Sequence, residues 1–512
     1  MGVWLVMAKS ARLEIHQLNV SAGDSALIIN RDLDKVETNI IAARKKKKTL
    51  PVVPDDELDY VPYAIYYGVT LVGTVNAALL IDGGVDQFGG DVLRYMEKHG
   101  VIDQKKKKQP KLTVLLSHYH DDHQGGLRYM LKRRVEPKKK GDKLTFVDGI
   151  FPDAAYLPAR DKDADKSVKE KGEQLRDWLE EAWNNDDVST LAWVYPGGLS
   201  KPKGGSPITI DLGEGVDNLE IKVTLLAANQ AVYRKDKKTT VYIPPKKSKV
   251  FNQNDRCAVA VLEYGSFRYF FGGDIGGDGG SAGGNDKKLA AEPNKPWFSP
   301  KYADIESVIG PALEVFFPAT QKKTAKAGTA KFPYPGYCTV MKADHHGSNT
   351  SNDVYFFGTI RPLLFLISCG IKLDSHGHPT QQVMDRAAAA MWGLRIPDGQ
   401  KKKPAPVSNT IEQVYITEVA KKTPSRPKSA NLGDARVMGC IVVRPVDETV
   451  AAVQDATKLG ELLSVQVYGD GVFTTIAKDE QKDYQLVAAT GDAGYADEDY
   501  YPHGPWEHSD AH

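Results

Sequence analysis

Ser117-His118-Tyr119-His120-Asp121-Asp122-His123 gathers three histidines and two aspartates into six residues. Core packing does not account for such a run, because histidine and aspartate are rarely buried without a partner. Imidazoles and carboxylates delivered to one loop are suited to a divalent metal, and the donor set favours Zn, Mn or Fe over Ca or Mg. His118 and His120 are two apart, so in an extended backbone both point to one side and can share an ion. Asp122 and His123 come next, where Gly125-Gly126 lets the chain turn, and they can reach a second ion close to the first. The spacing suggests two ions held largely by one loop.

A buried strand must carry that loop. Leu112-Thr113-Val114-Leu115-Leu116 is a short apolar run bounded by polar residues, and it reads as that strand. A helix is expected over 124–134, directly after the histidines. Elsewhere, strands are expected within 12–30, 63–84, 219–228, 257–272, 362–369, 411–418 and 437–444. Helices are expected over 91–99, 164–184 and 380–392. In the 164–184 helix, Leu175, Trp178, Leu179 and Trp183 recur at three- and four-residue intervals, the stripe of a core-facing helix. Leu463–Tyr468, Gly469-Asp470-Gly471 and Val472–Thr474 read as a hairpin with a DG turn. Stretches 276–297 and 320–333, rich in glycine and lysine, read as loops.

With these residues in view, a resemblance can be stated. His118-x-His120-x-Asp122-His123 resembles the HxHxDH signature of the metallo-β-lactamase superfamily. Leu79-Leu80-Ile81-Asp82-Gly83-Gly84 resembles its upstream strand-ending Asp-Gly element. Phe270-Phe271-Gly272-Gly273-Asp274 resembles the strand-turn whose aspartate bridges two metals, and Ala343-Asp344-His345-His346-Gly347-Ser348 resembles its later histidine element. The last of these, with Thr350-Ser351, is similar to the metallo-β-lactamase-like domain of the ComEC family of DNA-uptake proteins. Gly23-Asp24-Ser25, Asn254 through Val261, and Gly377-His378-Pro379 agree with that branch, although Thr380 stands where the branch has a second histidine. The resemblance implies a four-layer αββα fold, an α/β class, with large insertions. Its motifs span roughly residues 13–385, and the domain it implies covers 10–450, with an insertion at about 135–250, leaving 451–512 as a C-terminal hairpin and peripheral tail.

The resemblance also implies roles. His118, His120, Asp122, His123, Asp274, His345 and His346 would bind two divalent ions, Zn or Mn. One of His345 and His346 would bind metal and the other serve substrate or support. Ions sharing Asp274 would acidify a water between them. Asp122 and Asp274 are thus catalytic, and His378 or His376 is the general acid or a metal ligand. Ser348, Thr350 and Ser351 are placed to donate to substrate, or are plain turn residues. Asp82 would orient the histidine loop. No histidine occurs between His123 and His345, so the first metal lacks the separate third histidine that many superfamily hydrolases use. His378, His376 or Asp255 is available to complete it.

Composition narrows the rest. The chain has 512 residues, a net charge of +1, 26% charged residues and 41% hydrophobic residues, ordinary for a globular protein. That charge gives polyanions no global attraction. No apolar run approaches the ~18 residues of a membrane span. The apolar start of the chain has no basic segment before it, so no signal peptide is expected. Cys257, Cys338, Cys369 and Cys440 lack CxxC spacing, which fits a reducing cytoplasm. The lysine runs 45–48, 105–108 and 138–140 are either solvated loops or a patch that tracks phosphates. The expected function is a metal-dependent hydrolase of phosphodiesters, with nucleic acid as a possible partner through the lysines and no membrane. The alternatives are a hydrolase of small esters, lactones, thioesters or cyclic nucleotides, and a binding module on a retired hydrolase fold.

Overall fold

A computed structural model describes residues 11–32, 74–135, 145–159, 166–277 (with breaks at 203–204, 216–218, 236–237, 244–252 and 266), 303–316 and 338–353. Beyond these it describes mainly 362–370, 378–380, 382–384, 413–417, 439–445 and 463–468. The lysine runs 45–48 and 138–140, His376, residues 320–333, Val472–Thr474, the tail 490–512 and most of 276–297 lie outside the described residues.

Two large sheets face each other. The first holds β1 (Ala11–Gln17), β2 (Ala26–Asp32), β3 (Thr74–Ile81), β4 (Lys108–Leu115), β5 (Phe151–Pro158) and β6 (Thr190–Val194). The second takes β7 (Thr209–Glu214), β8 (Glu220–Ala228), β9 (Ala231–Arg234), β10 (Thr239–Tyr242), β11 (Val259–Tyr264), β12 (Phe267–Phe271), β13 (Val340–Lys342), β14 (Leu364–Ile367), β15 (Gln413–Ile416) and β16 (Arg436–Val437). The chain then returns to the first sheet with β17 (Cys440–Pro445), β18 (Leu463–Tyr468) and β19 (Val487–Ala488). Strand order is β19-β18-β17-β1-β2-β3-β4-β5-β6 in the first sheet. In the second it is β10-β9-β8-β11-β12-β13-β14-β15-β16, with β7 also paired to β8. Each sheet is antiparallel on one side and parallel on the other, the change falling at β3–β4 and at β12–β13.

Strand alternation explains the layers. Leu13, Ile15, Leu79, Ile81 and Leu115 of the first sheet meet Val223, Leu262, Phe271 and Leu366 of the second in one core between the sheets. The outer face of the first sheet carries Leu80, Leu112 and Val114. They pack on α1 (Gly89–Lys98), α2 (Asp121–Leu131) and α3 (Lys166–Asn184) through Met96, Leu127, Met130, Leu175 and Leu179. The outer face of the second sheet packs on α4 (Glu306–Phe316) through Ile309, Ala312 and Leu313. The result is a four-layer α/β arrangement, helices outside and two mixed sheets inside, consistent with a metallo-beta-lactamase fold with insertions. Burying one such Leu or Phe stabilises the fold by about 1.5–3 kcal/mol.

Within 135–250 the described residues supply β5 and β6 to the first sheet and β7 through β10 to the second, because their apolar alternation has both sheets to bury against. One boundary differs from the sequence reading. The helix after the histidines starts at Asp121 rather than 124, so Asp122 and His123 sit on its first turn. His120 is extended (φ −71°, ψ 151°), and the acidic pair Asp121-Asp122 suits the positive end of the helix dipole.

Candidate metal centre

All the chemistry-bearing segments sit at strand ends on one rim. β3 leads into Asp82, β4 into His118–His123, β12 into Asp274, and β13 into His345 and His346. The backbone is packed tightly enough there to demand glycine. A Cβ on Gly126 would lie 1.9 Å from the Gly83 carbonyl oxygen. In exchange, Gly83 N–H donates to His123 O (2.7 Å) and Gly126 N–H to Gly84 O (2.9 Å), which lock the Asp82 turn onto the first turn of α2.

Asp82 then aims His123. Its Oδ1 accepts from Ser117 N–H (2.7 Å), and its Oδ2 accepts from Ser117 Oγ (2.5 Å) and His123 Nδ1 (2.8 Å). With Nδ1 donating to a carboxylate, Nε2 is left as the lone-pair nitrogen, and it points inward. His346 is held in the same sense. Its Nδ1 lies 3.1 Å from Ser368 O and 3.3 Å from Asp24 Oδ1, so its Nε2 also points inward.

The inward atoms converge without hydrogen-bonding. His123 Nε2 is 3.3 Å from Asp274 Oδ1 and 3.9 Å from Asp122 Oδ2. His346 Nε2 is 3.3 Å from Asp122 Oδ2 and 3.5 Å from Asp274 Oδ2. His123 Nε2, His346 Nε2 and Asp274 Oδ1 are nevertheless buried and make no hydrogen bond among the described residues. Two donors on one tetrahedral ion, each about 2.1 Å from it, stand about 3.4 Å apart. The spacing and the orphaned atoms therefore fit a divalent ion.

A second donor group shares the same aspartate. Ligand atoms of His118, His120 and Asp274 lie within 4.8 Å of one another, as do those of Asp24, His123, Asp274 and His346. His118 Nε2 faces His120 Nδ1 at 2.9 Å and Asp274 Oδ2 at 3.9 Å. Asp274 is thus common to both groups. Asp24 is not on the ion's side. It meets His346 and His123 at their Nδ1 atoms (3.3 and 3.9 Å), on the far edge of each ring.

Electrostatics separate the histidines into two kinds. Burial pushes His118 and His120 down, leaving neutral imidazoles ready to bind metal. Burial also pushes His345 down, to about 3. Burial acts the same way on His123, but the Asp274, Asp122 and Asp82 carboxylates overrule it and raise His123 well above its usual range. Asp274 and Asp24 likewise overrule burial at His346 and lift it to about 10. Burial opposes ionisation of Asp274, yet the charges of His346 and His123 hold its carboxyl well below the ordinary range. The same carboxylates that raise His123 and His346 would attract a cation to their inward nitrogens.

His345 and His346 adopt left-handed backbone (φ 50° and 54°), followed by Gly347 at φ 80°. Such a run is strained for histidine. Hydrogen bonds hold it: His345 N–H to Gly273 O (3.0 Å), Asp344 N–H to Asn352 Oδ1 (2.9 Å) and Thr380 N–H to Gly347 O (2.9 Å). The twist sends the two rings different ways. His346 goes inward, while His345 Nε2 stands 3.8 Å from Asp274 Oδ2 on the side partly open to solvent. Around it are Thr350 Oγ1 (3.4 Å from His345 Nδ1), Asn254 Nδ2 (3.2 Å from His345 Nε2), Ser348 Oγ bonded to Thr350 Oγ1 (3.0 Å), and the His378 ring, 5.8 Å away.

Two expectations are corrected here. Ser351 does not face the site: it is buried, and its hydroxyl is spent on Asp344 O (2.8 Å) and Ser348 O (3.0 Å) within the loop. Asp255 does not complete the first donor group. Its Oδ1 accepts from Ala303 N–H (2.8 Å), and burial lifts its carboxyl to about 7.

Asp24 and Lys342 were missed as site residues. Both left a signal in the sequence: an aspartate inside the Gly23-Asp24-Ser25 turn, and a lysine inside the apolar run Val340-Met341-Lys342-Ala343, where burial demands a partner. A third donor group, Glu14, His16 and His99, lies on the outer face of β1. The Arg31 and Arg444 guanidinium groups already bond Glu14, which makes it a poor place for a cation. The lysine run 105–108 sits at the start of β4, the end away from the metal loop, about 25 Å off at 3.3 Å per residue. Lys107 pairs there with Asp187 (2.6 Å). No helix among the described residues is long and apolar enough to cross a membrane.

No curated protein matches the chain. Residues 69–180, which carry the Asp82 turn and the His118–His123 segment, match the metallo-beta-lactamase superfamily model.

Proposed function

We propose that the chain is a metal-dependent hydrolase that cleaves phosphodiesters at a dinuclear centre shared through Asp274. The superfamily domain and the His/Asp cluster support metal-dependent hydrolysis. The membership of Asp274 in both donor groups supports two ions, with His118 and His120 on one and His123, His346 and Asp122 on the other. Zn or Mn suits these donors.

One observation carries the substrate class. Around the His345 ring, beside Asp274, hydrogen-bonding side chains gather: Asn254 Nδ2, His378, Ser348 Oγ and Thr350 Oγ1. A phosphodiester surrounds its reacting atom with oxygens and can use several such groups at once. A carboxylic ester or lactone brings one carbonyl oxygen. The likeness of the Gly23-Asp24-Ser25 and His345-His346-Gly347-Ser348 motifs to the ComEC-type branch favours the same class.

The residues divide the work as follows. Bound divalent ions supply Lewis acidity and draw a water's pKa toward neutrality. Asp82 holds His123 with Nε2 inward, and Ser368 does the same for His346. Asp122 and Asp274 contribute the negative charge that retains cations. His345, neutral and beside Asp274, steadies a phosphoryl oxygen, with Thr350 fixing its ring from behind. His378, next to both His345 and His346 (ring centroids 5.8 and 6.1 Å), delivers a proton to the leaving oxygen. The lysine run 105–108 has no part in this, given its position.

The test is hydrolysis of bis-p-nitrophenyl phosphate and of single- and double-stranded DNA by metal-stripped protein resupplied with Mn or Zn, beside Asp122→Ala. Metal-dependent diester cleavage that the variant loses is expected. Turnover of p-nitrophenyl acetate or a lactone, with no diester cleaved, would refute the substrate class.

A further inference from the structure

Lys342 is the most anomalous side chain near the centre. It is fully buried at the end of β13, and it lies over the Phe271 ring (5.1 Å from the centroid). Its ammonium donates to Gly273 O (2.9 Å) and to the Asp24 carboxylate, which is itself fully buried. Lys342 thus ties the turn after β1, in the first sheet, to the turn that leads into Asp274, in the second. Asp24 is fixed on its other sides too: its N–H donates to Asp122 O (3.1 Å), and its carbonyl accepts from Gly84 N–H (2.8 Å). Stability is a weak reason to keep such a pair, because apolar replacements of buried ion pairs are often neutral or stabilising.

We propose that Lys342 and Asp24 form a positioning pair for the metal centre. Lys342 engages one oxygen of Asp24 and leaves the other to face His346 Nδ1, so that His346 keeps its Nε2 toward the ion. This rests on the dinuclear reading above. The two oxygens are divided: Oδ2 goes to Lys342, while Oδ1 is 3.3 Å from His346 Nδ1. Lys342 also neutralises Asp24, which therefore supports the ring without competing as a ligand. The pairing of a carboxylate with the far nitrogen of a metal-binding histidine is a common way of fixing ring orientation.

The arrangement makes an unusual prediction about substitutions. In Asp24→Asn the amide has one oxygen, and Lys342 claims it. The NH2 group then faces His346 Nδ1, which Ser368 O already holds as a donor (3.1 Å). Two donors oppose each other, and the ring is pushed off the ion. In Asp24→Asn/Lys342→Met the amide is free to flip and present its oxygen to His346. In Asp24→Leu/Lys342→Met no acceptor remains.

The experiment is titration of metal-stripped protein with Zn by calorimetry and with Co by visible absorption, in wild type and these three variants. Near-ultraviolet circular dichroism reports folding. Binding at the His123/His346 position should fall by roughly 10–100-fold in Asp24→Asn and in Asp24→Leu/Lys342→Met, and return to within about threefold of wild type in Asp24→Asn/Lys342→Met. The Co spectrum should follow the same order. Equal affinity in the two double variants, or wild-type affinity in Asp24→Asn, overturns the proposal. The double variants leave no buried charge unpaired and carry the test if Asp24→Asn does not fold. Wild-type protein that binds no ion would instead remove the dinuclear reading.

Discussion

Replacing Asp82 with Asn removes one acceptor oxygen and changes almost nothing else. Asp82 is buried at φ 58°, a left-handed conformation that Asn also tolerates, so the turn itself should survive. The carboxylate serves three donors: Ser117 N–H (2.7 Å) on one oxygen, Ser117 Oγ (2.5 Å) and His123 Nδ1 (2.8 Å) on the other. An amide has one oxygen. If it stays with the Ser117 N–H, its NH2 faces His123 Nδ1. If it flips, the NH2 faces the backbone donor. His123 is then pressed to move its proton to Nε2, the atom required for metal. A hydrogen bond to a charged group contributes about 1.5–3 kcal/mol, which at 1.4 kcal/mol per tenfold is a loss of roughly 10–100-fold in affinity. The loss should fall on the ion held by His123 and His346. The His118/His120 ion should be much less affected, since Ser117 Oγ still lies 3.1 Å from His118 Nδ1. Chelator competition with stripped protein resolves the two ions. Affinities within twofold of wild type for both would refute the reasoning that Asp82 sets the nitrogen His123 presents.

Three further outcomes follow from the same structure. Gly126→Ala puts a methyl group 1.9 Å from Gly83 O, so the Asp82 turn and α2 must separate. We expect about 1–3 kcal/mol of lost stability in urea titrations, together with weakened metal binding, and wild-type values for both would contradict the packing described. His16 is lowered by burial to about 4, against Glu14, which acts to raise it. Its folded pKa is depressed from 6.5, so the stability it contributes is complete above pH 6.5 and is lost as pH falls through 4, about 3 kcal/mol in all. The wild-type-minus-His16→Gln stability difference should shrink across that window, and a difference flat with pH would count against it. Finally, Lys107→Ala/Lys108→Ala should leave diester turnover within about twofold, because these residues sit at the far end of β4. A tenfold loss of DNA cleavage would show that this end meets substrate.

Much of the centre was legible because its residues cannot serve as ordinary core. Three histidines after an apolar strand, an aspartate after Phe270-Phe271, and paired histidines after a second apolar strand each announce a polar group at a strand end. Spacing could also place His118 and His120 together. The direction of each imidazole was not legible, since it depends on contacts remote in sequence: His123 with Asp82, and His346 with Ser368 and Asp24. Lys342 and Asp24 meet across 318 residues, and no local pattern encodes such a pair. Ser351 looked available because serine in a polar loop usually is, whereas the left-handed turn at His345 and His346 consumes its hydroxyl. Within 135–250 the strand at 219–228 was legible, but which sheet each strand joins was not, since only the paired sheets give the alternation a face to bury.

The central claim is that Asp274 joins two metal positions. Titration of stripped protein with Zn, read by calorimetry and by metal analysis after desalting, tests it in wild type, His118→Ala and Asp274→Ala. The account predicts two ions per chain in wild type, one retained in His118→Ala, and neither retained tightly in Asp274→Ala. One full-affinity ion in Asp274→Ala would contradict it, since a position that survives without Asp274 does not share that carboxylate.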